Sequence, residues 1–382
     1  MRLINLPFLN LLPLLTSAIV LSPSAGNYGV AKADLELTDH SRLDPYAESP
    51  IPRRLMISAF TPAGLVHTCS PVTTPYMPPS TAALYDAMYA SLGLPNGTFE
   101  TLNLSLCKNS CSSSSHSYPL VVFSPGLGDS RLTYSLLAQS LASRGFRVIT
   151  IDHPYDASIV TFPDDLVALA ADIETDGQIE AALKVRVADV RFVITQLSNT
   201  TIAHRLSQPA LYPQEPVLMF GHSLGGATAA AAMLADRRII AGVNLDGTFF
   251  GEILTRSLGC PFLVFSHEGK NLSTDASWST AWPNFRGTKG LETLEGSAHG
   301  TFTDFPVVAH TLSVNSSDLA GLLGTIGAER SMEIVTEYLA QFFRFAVGSG
   351  RAPLVPADAK KRFPEVKELA RVEKGRCGTW RG

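Results

Sequence analysis

A serine between two glycines is the residue of this chain best suited to act as a nucleophile. Gly221 and Gly225 flank Ser223 in the pentapeptide GHSLG, which follows the apolar run VLMF at residues 217–220 and precedes an alanine-rich stretch. A G-x-S-x-G turn between a strand and a helix is typical of a nucleophile elbow, in which a strained turn raises the serine hydroxyl above a sheet. The alternative is a glycine-rich turn with no catalytic role. The flanking strand and helix patterns favour the nucleophile.

A nucleophilic serine needs a histidine base and a carboxylate that orients this base. On the α/β-hydrolase pattern the chain order is serine, acid, histidine. Asp246 directly follows the next predicted strand, and His299 lies in a loop after the last one. We therefore predict Ser223, Asp246 and His299 as a catalytic triad. The alternatives are a turn or cap role for Asp246 and a bystander role for His299.

Three other histidines compete for the role of base. His267 is the serious competitor, because it follows the predicted strand at residues 262–265. His153 precedes Ser223 and so breaks the chain order, whereas His222 lies inside the elbow and is expected to point elsewhere. Asp304 is too close to His299 in sequence to be its obvious partner.

An oxyanion hole needs two backbone N–H groups aimed at the reacting carbonyl oxygen. The residue after the nucleophile, Leu224, is expected to supply one of them. The loop SPGLG at residues 124–128 follows a predicted strand, and its Leu127 is expected to supply the other. A tight turn without catalytic duty is the alternative for this loop.

The elements that position these residues are short apolar strands alternating with helices. The predicted strands lie at residues 118–124, 146–151, 217–220, 239–245, 262–265 and 291–294. The predicted helices lie at residues 81–92, 131–144, 179–197 and 329–346, with a further one after Ser223. Such alternation is typical of a mostly parallel sheet covered on both faces. We predict an α/β-hydrolase fold, with a mostly parallel central sheet and helices on both faces.

The composition changes along the chain and suggests four segments. Residues 1–33 are predicted to be a secretory signal peptide, since Arg2 precedes a mostly apolar stretch and Ala31-Lys32-Ala33 fits a cleavage pattern, with Ala25 as another stop. An N-terminal membrane anchor is the alternative. Residues 34–115 are expected to form a loop-rich extension packed on the core, with short edge strands and one helix among its loops. Residues 116–347 are expected to form the catalytic core. Residues 348–382 carry an excess of basic residues and are expected to form a solvated tail or a terminal helix.

Sequons and cysteines agree with secretion. Five asparagines head N-x-S/T sequons and are candidate glycosylation sites: Asn96, Asn103, Asn199, Asn271 and Asn315. Five cysteines allow two disulfides and one free thiol, without indicating the pairing: Cys69, Cys107, Cys111, Cys260 and Cys377. We expect a secreted, extracellular, disulfide-bonded glycoprotein.

Charge and ligand spacing argue against two other classes of function. A net charge of −4 provides no electrostatic basis for binding nucleic acid. Cys107 and Cys111 have no second Cys or His pair at zinc-site spacing, so no metal is predicted. No cofactor is expected.

Several segments resemble one known family of ester hydrolases. The sequences FSPGLGDSRLTYSLLAQSLASRGFRVITIDHPYDAS, GHSLGG, NLDG and GSAHGTFTDF, between about residues 118 and 345, are similar in order to the secreted platelet-activating-factor acetylhydrolases. The resemblance implies a metal-independent α/β-hydrolase that cleaves short or oxidised acyl chains from phospholipids. It also implies Ser223, Asp246 and His299 as the triad and Leu127 with Leu224 as oxyanion donors. Pro125 replaces the family's usual histidine in the oxyanion loop, which affects the expected phospholipid specificity more than the hydrolysis.

The resemblance leads to a concrete hypothesis with two alternatives. We predict a serine esterase for small-molecule esters or phospholipids, with contact to a lipid surface as a further expectation. A lipase- or cutinase-like carboxylesterase that acts on glycerides or polyesters is the first alternative. A binding protein that keeps the fold without catalysis is the second, and the presence of all three triad candidates argues against it.

Overall fold

The computed structural model describes residues 18–23, 25–108, 118–348 and 353–374. The strands are β1 (Ile19–Leu21), β2 (Tyr28–Leu43), β3 (Pro52–Leu65), β4 (Pro71–Pro75), β5 (Leu102–Cys107), β6 (Leu120–Ser124), β7 (Arg147–Asp152), β8 (Ile159–Thr161), β9 (Val167–Leu169), β10 (Val217–His222), β11 (Ile239–Leu245), β12 (Phe262–His267), β13 (Lys289–Leu294) and β14 (Val366–Val372). The helices are α1 (Pro79–Met88), α2 (Thr98–Thr101), α3 (Ser135–Ala142), α4 (Asp176–Gln196), α5 (Thr200–Arg205), α6 (Leu224–Ala235), α7 (Ala276–Ala281), α8 (Phe305–Thr311), α9 (Ser316–Leu323), α10 (Ala328–Val347) and α11 (Ala359–Arg362).

A nine-stranded sheet in the order β14-β13-β12-β11-β10-β6-β7-β3-β2 forms the centre of the molecule. Its inner strands, from β13 to β7, run parallel to one another. The strands β14, β3 and β2 pair antiparallel at the two sides. Because the carboxyl ends of parallel strands meet at one edge of a sheet, the loops after β6, β10, β11, β12 and β13 lie together at that edge.

Helices cover both faces of this sheet, as predicted. In β6, Leu120 and Val122 pack in one apolar cluster with residues of α4 and α6. Val121 and Phe123, which alternate with them, pack in a second cluster with residues of α3 and α10. Successive side chains of a strand point to opposite faces, so the two clusters are the two sides of the sheet. This double burial explains why the inner strands are continuous apolar runs in the sequence.

The segment at residues 34–115 contains longer strands than the short edge strands predicted, because most of β2 and all of β3 lie in it and extend the central sheet. Met56 to Phe60 of β3 pair with β7. In β2 the buried Leu35 and Leu37 alternate with the exposed Asp34 and the half-buried Glu36. Polar residues at every second position hide such a half-buried strand in the sequence. A smaller sheet, β1-β5-β4, lies beside it.

The C-terminal segment also differs from the predicted solvated tail or terminal helix. Strand β14 pairs antiparallel with β13 and closes one side of the central sheet. Leu354 and Phe363, which precede it, are buried in the core cluster. Arg371 of β14 contacts Glu292 of β13 at 3.3 Å, so part of the positive charge of this segment is paired rather than free. The basic composition concealed a strand at the edge of the sheet.

The predicted leader overlaps the folded part of the chain. Residues 1–17 lie outside the described residues, but Tyr28 to Ala33 form the first part of β2, where Val30 and Ala31 are buried. A cleavage after Ala33 would remove this part of the strand. A cleavage after Ala25 would keep β2 whole and would remove β1. The signal peptide is still a prediction. The burial of residues in β2 argues against a cleavage after Ala33.

One disulfide joins Cys69 to Cys107, and Cys260 is disulfide-bonded as well. Cys111 and Cys377 lie outside the described residues. The Cys69–Cys107 bond closes 38 residues of chain and links the end of β5 to the turn before β4. Among the helices of the described residues, none is both long and apolar enough to cross a bilayer.

Candidate active site

Ser223 occupies the turn between β10 and α6 in a strained backbone conformation. Its φ is 53° and its ψ is −124°, in a region that residues with a side chain rarely adopt. The Ser223 N–H donates to the carbonyl of Leu245 at 2.9 Å, and the Ser223 carbonyl accepts from the N–H of Gly226 at 2.9 Å. These bonds hold the turn in place, and strain of this kind costs about 1–3 kcal/mol.

The two elbow glycines are required by close backbone contacts. A Cβ atom on Gly221 would lie 2.1 Å from the carbonyl carbon of Gly225. A Cβ atom on Gly225 would lie 1.9 Å from the carbonyl oxygen of Ser124. Both distances are far below any van der Waals contact, so the elbow and the β6 loop approach each other only because these positions lack side chains.

Asp246 follows β11 and is completely buried. Its Oδ2 atom lies 2.5 Å from Nδ1 of His299 and 2.7 Å from Nδ1 of His267. Burial by itself raises the pKa of the Asp246 carboxyl, but hydrogen bonds from His267 and His299 and the charge of Lys270 outweigh burial and lower this pKa below its usual range. An ionised carboxylate only accepts hydrogen bonds, so both histidines donate to it through Nδ1–H. The carboxylate that was predicted to orient the base therefore accepts hydrogen bonds from two histidines.

His267 and His299 reach this carboxylate from different elements. His267 is the last residue of β12, and its backbone N–H also donates to Asp246 Oδ1 at 3.1 Å. His299 begins a 3-10 turn after β13, and its ring centroid lies 4.5 Å from that of His222, the residue before Ser223. Its side chain is 48% exposed, which leaves the ring open towards solvent. His299 is thus the histidine that borders the elbow.

The predicted oxyanion donors lie on either side of the elbow. Leu224 is the first residue of α6, and Leu127 belongs to the loop that follows β6. Within the described parts of the chain, the backbone N–H groups of Leu127 and Leu224 have no hydrogen-bond acceptor. Two such N–H groups beside a nucleophile suit an oxyanion hole.

A buried arginine holds the loop that carries Leu127. Arg186 of α4 donates through Nη1 to the carbonyl of Pro125 at 2.6 Å and through Nη2 to the carbonyl of Gly126 at 3.0 Å. Its Nε donates to Asp156 Oδ2 at 2.7 Å, and Asp156 accepts in turn from the N–H of Gly128 through its backbone carbonyl at 3.0 Å. The carbonyl of Gly126 belongs to the same peptide group as the Leu127 N–H. Arg186 therefore orients the predicted oxyanion donor, and no motif in the sequence indicated it.

A second serine-histidine-aspartate arrangement lies beneath this loop and is fully buried. His153 Nδ1 lies 3.0 Å from Asp189, and its Nε2 lies 2.9 Å from the hydroxyl of Ser124. Burial lowers the pKa of His153, and Arg53 pairs with Asp189 at 2.8 Å. This arrangement has no exposed serine and supports the end of β6 rather than a reaction.

His222 and Asp304, the remaining alternatives for the base and the acid, also make structural contacts. His222 donates through Nε2 to the backbone carbonyl of His299 at 3.0 Å, and burial followed by the nearby His299 lowers the pKa of His222 to about 3. Asp304 accepts from the N–H groups of Leu136 and Leu137 at the start of α3. Both ring nitrogens of His222 and both carboxyl oxygens of Asp304 are thus engaged by neighbouring groups.

Asp246, His267 and His299 are also the group of described residues whose atoms could ligate a metal, since these atoms lie within 4.8 Å of one another. The same Nδ1 and carboxylate atoms are engaged in hydrogen bonds with each other. These atoms are therefore already occupied by one another. The predicted glycosylation sites divide by exposure: Asn96, Asn199 and Asn315 are exposed, whereas Asn103 and Asn271 are half-buried.

Comparison with known proteins agrees with this geometry. The model of the family described as platelet-activating factor acetylhydrolase, isoform II, matches residues 90–207 and 208–349. A protein of Arthroderma benhamiae named probable 1-alkyl-2-acetylglycerophosphocholine esterase is 32% identical over 92% of this chain and 94% of its own length. The platelet-activating factor acetylhydrolase of Cavia porcellus is 24% identical over 60% of this chain and 58% of its own length.

A solved structure shares the fold over nearly the whole chain. The ferulic acid esterase from Streptomyces cinnamoneus superposes with a TM-score of 0.76 and 29% identity, and the match covers 93% of this chain and all of that one. The α/β-hydrolase fold and the carboxylic ester hydrolase activity predicted from the sequence are thereby confirmed. The chain belongs to the isoform II family of platelet-activating factor acetylhydrolases.

Proposed function

We propose that Ser223, Asp246 and His299 form the catalytic triad of a secreted serine esterase that cleaves short acyl esters through an acyl-enzyme. The 2.5 Å contact between Asp246 and His299, beside the strained turn that carries Ser223, is the observation on which the proposal depends. An Nδ1–H bond to the buried carboxylate leaves Nε2 of His299 unprotonated. This is the tautomer that a general base needs.

The reaction follows from these positions. His299 Nε2 takes the proton of the Ser223 hydroxyl, whose oxygen attacks the ester carbonyl, and the Leu127 and Leu224 N–H groups bind the oxyanion. His299 returns the proton to the leaving alcohol as the acyl-enzyme forms. A water molecule, deprotonated by His299, then attacks the acyl group, the acid departs and Ser223 regains its proton. Asp246 stays ionised and stabilises the imidazolium.

His299 rather than His267 is proposed as the base. The His299 ring borders His222, which immediately precedes the nucleophile, whereas His267 approaches Asp246 from the end of β12. In this arrangement His267 supports the carboxylate as a second donor.

Two substrate classes are supported by particular relatives. Similarity to a protein named probable 1-alkyl-2-acetylglycerophosphocholine esterase over 92% of the chain favours a glycerophospholipid with a short acyl chain, from which a lysophospholipid would leave. The structural match to a ferulic acid esterase favours the alternative, a carboxylesterase with broader specificity, for which glycerides and polyesters are further candidates.

The test compares variants and substrates in one set of assays. We expect Ser223→Ala and His299→Ala to lose at least about 10³-fold in kcat on a soluble ester, and His267→Ala to lose far less. Acetyl, butyryl and palmitoyl glycerophosphocholines, together with methyl ferulate and tributyrin, would separate the substrate classes. A large loss in His267→Ala with little change in His299→Ala would contradict the choice of base. A Ser223→Ala protein with normal turnover would contradict the triad.

Contact with a lipid surface is proposed for an apolar groove beside the site. Leu94 and Phe99 line it on one side, and Leu319 and Leu322 of α9 line it on the other. Leu322 is 50% exposed, and its carbonyl lies against Gly300 in the loop of the predicted base. We expect Leu322→Asp to reduce hydrolysis of vesicle-bound substrate and to leave hydrolysis of a soluble ester unchanged. Equal losses on both substrates would contradict surface binding.

Secretion and glycosylation complete the proposal. The expected mature chain starts at or before Gly26, because a start at Asp34 would remove buried residues of β2. N-terminal sequencing of the secreted protein and a mobility shift after glycosidase treatment check both points. An intact Met1 without a mobility shift would contradict them.

A further inference from the structure

A single tyrosine hydroxyl joins the three parts of the predicted site. Tyr134 precedes α3, and its ring packs on Phe123 with centroids 4.6 Å apart. The Tyr134 oxygen lies 2.8 Å from Nδ1 of His222, 2.7 Å from Oδ2 of Asp129 and 3.2 Å from the backbone nitrogen of Gly126.

Counting protons at this hydroxyl restricts the charge states of its neighbours. His222 Nε2 faces the carbonyl of His299, which only accepts, so Nε2 carries a proton. Gly126 donates its N–H to the Tyr134 oxygen. Tyr134 has one proton and can give it either to Nδ1 of His222 or to Asp129, but not to both. The remaining contact therefore needs one further proton, which resides on Asp129 as a carboxylic acid or on His222 as an imidazolium.

We propose that Asp129 is held as a neutral carboxylic acid that donates to Tyr134, and that Tyr134, donating to His222, is a positioning residue for the esterase reaction. Burial first, and a neighbouring Asp156 to a lesser degree, raise the pKa of Asp129 even though Tyr134, His299 and Arg186 act in the other direction. The pKa of His222 is lowered to about 3, with burial as the main cause, which places the proton on the carboxyl. Burial and Asp129 raise the pKa of Tyr134 well above its usual value, so its hydroxyl stays protonated.

The charged and titratable groups that face this hydrogen-bonded chain belong to several elements. They are Arg186, Asp156 and His299 near Asp129, Tyr85 near Tyr134, and Asp246, Lys270 and His299 near His222. Loss of the shared proton as the pH rises would set the Asp129 carboxylate and Nδ1 of His222 in competition for the one proton of Tyr134. Activity is then expected to fall as the pH rises through the raised pKa of Asp129.

The position of the hydroxyl explains why its loss would affect the reaction. Gly126 directly precedes the predicted oxyanion donor Leu127, and His222 directly precedes the nucleophile Ser223. His222 also holds the backbone of the predicted base through the His299 carbonyl. One oxygen atom thus sets the distances between the donor, the nucleophile and the base. Misplacing reacting groups by about 1 Å can cost on the order of 10²-fold in rate.

The experiment uses the full chain and a soluble ester, and the inference rests on the proposed triad. Tyr134→Phe keeps the ring and removes the hydroxyl. Tyr76→Phe is the matched control, since it removes another buried hydroxyl in contact with a carboxyl, that of Asp304 at 3.0 Å. We expect Tyr134→Phe to lower kcat roughly 10- to 100-fold with KM within about threefold. Tyr76→Phe should change kcat by less than about twofold. It should lower the melting temperature about as much as Tyr134→Phe does.

Two variants of Asp129 test directly where the additional proton resides. Asp129→Asn presents an N–H donor to Tyr134 in place of the acid proton. We therefore expect kcat near the wild-type value and loss of the fall in activity that deprotonation of Asp129 causes as the pH rises. Asp129→Ala has no donor and should resemble Tyr134→Phe.

An Asp129→Asn enzyme as inactive as Asp129→Ala, or a Tyr134→Phe enzyme with wild-type kcat, would overturn the proposal. If Tyr134→Phe does not fold, the contrast between the two Asp129 variants decides it. Ser223→Ala is measured alongside, because its activity reports on the triad independently of Tyr134.

Discussion

Replacing Arg186 by methionine tests how the buried arginine supports both the fold and the oxyanion loop. Arg186 is 1% exposed and pairs with Asp156, which is also buried. Removing one partner of a buried pair costs about 3–5 kcal/mol, because the other charge is left without compensation. The carbonyls of Pro125 and Gly126 also lose their donor, at about 1 kcal/mol each where water does not replace it. We expect Arg186→Met to lower the free energy of unfolding by about 5 kcal/mol.

Urea unfolding followed by circular dichroism measures this loss, and a surface arginine provides the control. Arg238 pairs with Asp236 at 2.6 Å, but its side chain is 31% exposed. Arg238→Met should therefore cost no more than about 1 kcal/mol. Adding Asp156→Asn to Arg186→Met should restore at least about 2 kcal/mol, since it removes the uncompensated charge.

The same variant should also lose activity where it stays folded. Arg186 donates to the carbonyl of the peptide whose N–H is the predicted Leu127 donor, and removal of an oxyanion donor typically costs about 10²–10³-fold in kcat. A displaced donor should cost less, so we expect a loss of roughly 10- to 100-fold. A stability loss no larger than that of Arg238→Met, or an unchanged kcat, would refute the reasoning.

Three further predictions concern the elbow, the acid and the disulfide. Ser223→Gly should be inactive yet more stable than Ser223→Ala by about 1 kcal/mol or more in urea unfolding, since glycine adopts the φ of 53° without strain; equal stabilities would contradict the strain. The pKa of Asp246 is lowered in the folded protein, so its contribution to stability is present above the ordinary carboxyl pKa of about 4 and is lost as the pH falls. Asp246→Asn should therefore destabilise by about 2 kcal/mol at pH 7 and by less below about pH 4, and a difference independent of pH would count against this. Replacing Cys69 and Cys107 by serine should lower the free energy of unfolding by about 2–4 kcal/mol, as expected for a closed loop of 38 residues; a loss under about 0.5 kcal/mol would show that the bond does not constrain the unfolded chain.

The inner strands and the elbow could be predicted because their signals are local. Strand β11 runs from Ile239 to Leu245, as predicted, and α10 differs from its prediction by one residue at each end. Gly221, Ser223 and Gly225 lie within five residues, so their spacing alone indicates the turn. The strands at the two sides of the sheet were not fully predicted, for a related reason. Strands β2 and β14 have one polar side and basic or acidic neighbours, so their apolar residues form no continuous run.

The choice between His299 and His267 could not be read from the sequence. Both lie after strands at the same edge of the sheet, and both Nδ1 atoms reach the Asp246 carboxylate. Their difference arises from which ring borders the elbow, and this depends on how the β13 loop folds back over β10. The spacing of 53 residues after Asp246 and the small residues around His299 favoured it in the sequence, and the geometry supports that choice as a proposal.

The sequence by itself determined the fold class, the family and the candidate nucleophile, because apolar periodicity, glycine positions and a strand–turn–helix order are properties of neighbouring residues. Only the tertiary structure brought Tyr134 to His222, 88 positions away, and Arg186 to Gly126, 60 positions away. Such contacts depend on the packing of α3 and α4 against opposite faces of the sheet, and buried tyrosines and arginines carry no sequence pattern that distinguishes them from others. The candidate nucleophile is therefore visible in the sequence, whereas the side chains that hold its turn and the candidate oxyanion loop are visible only in the folded chain.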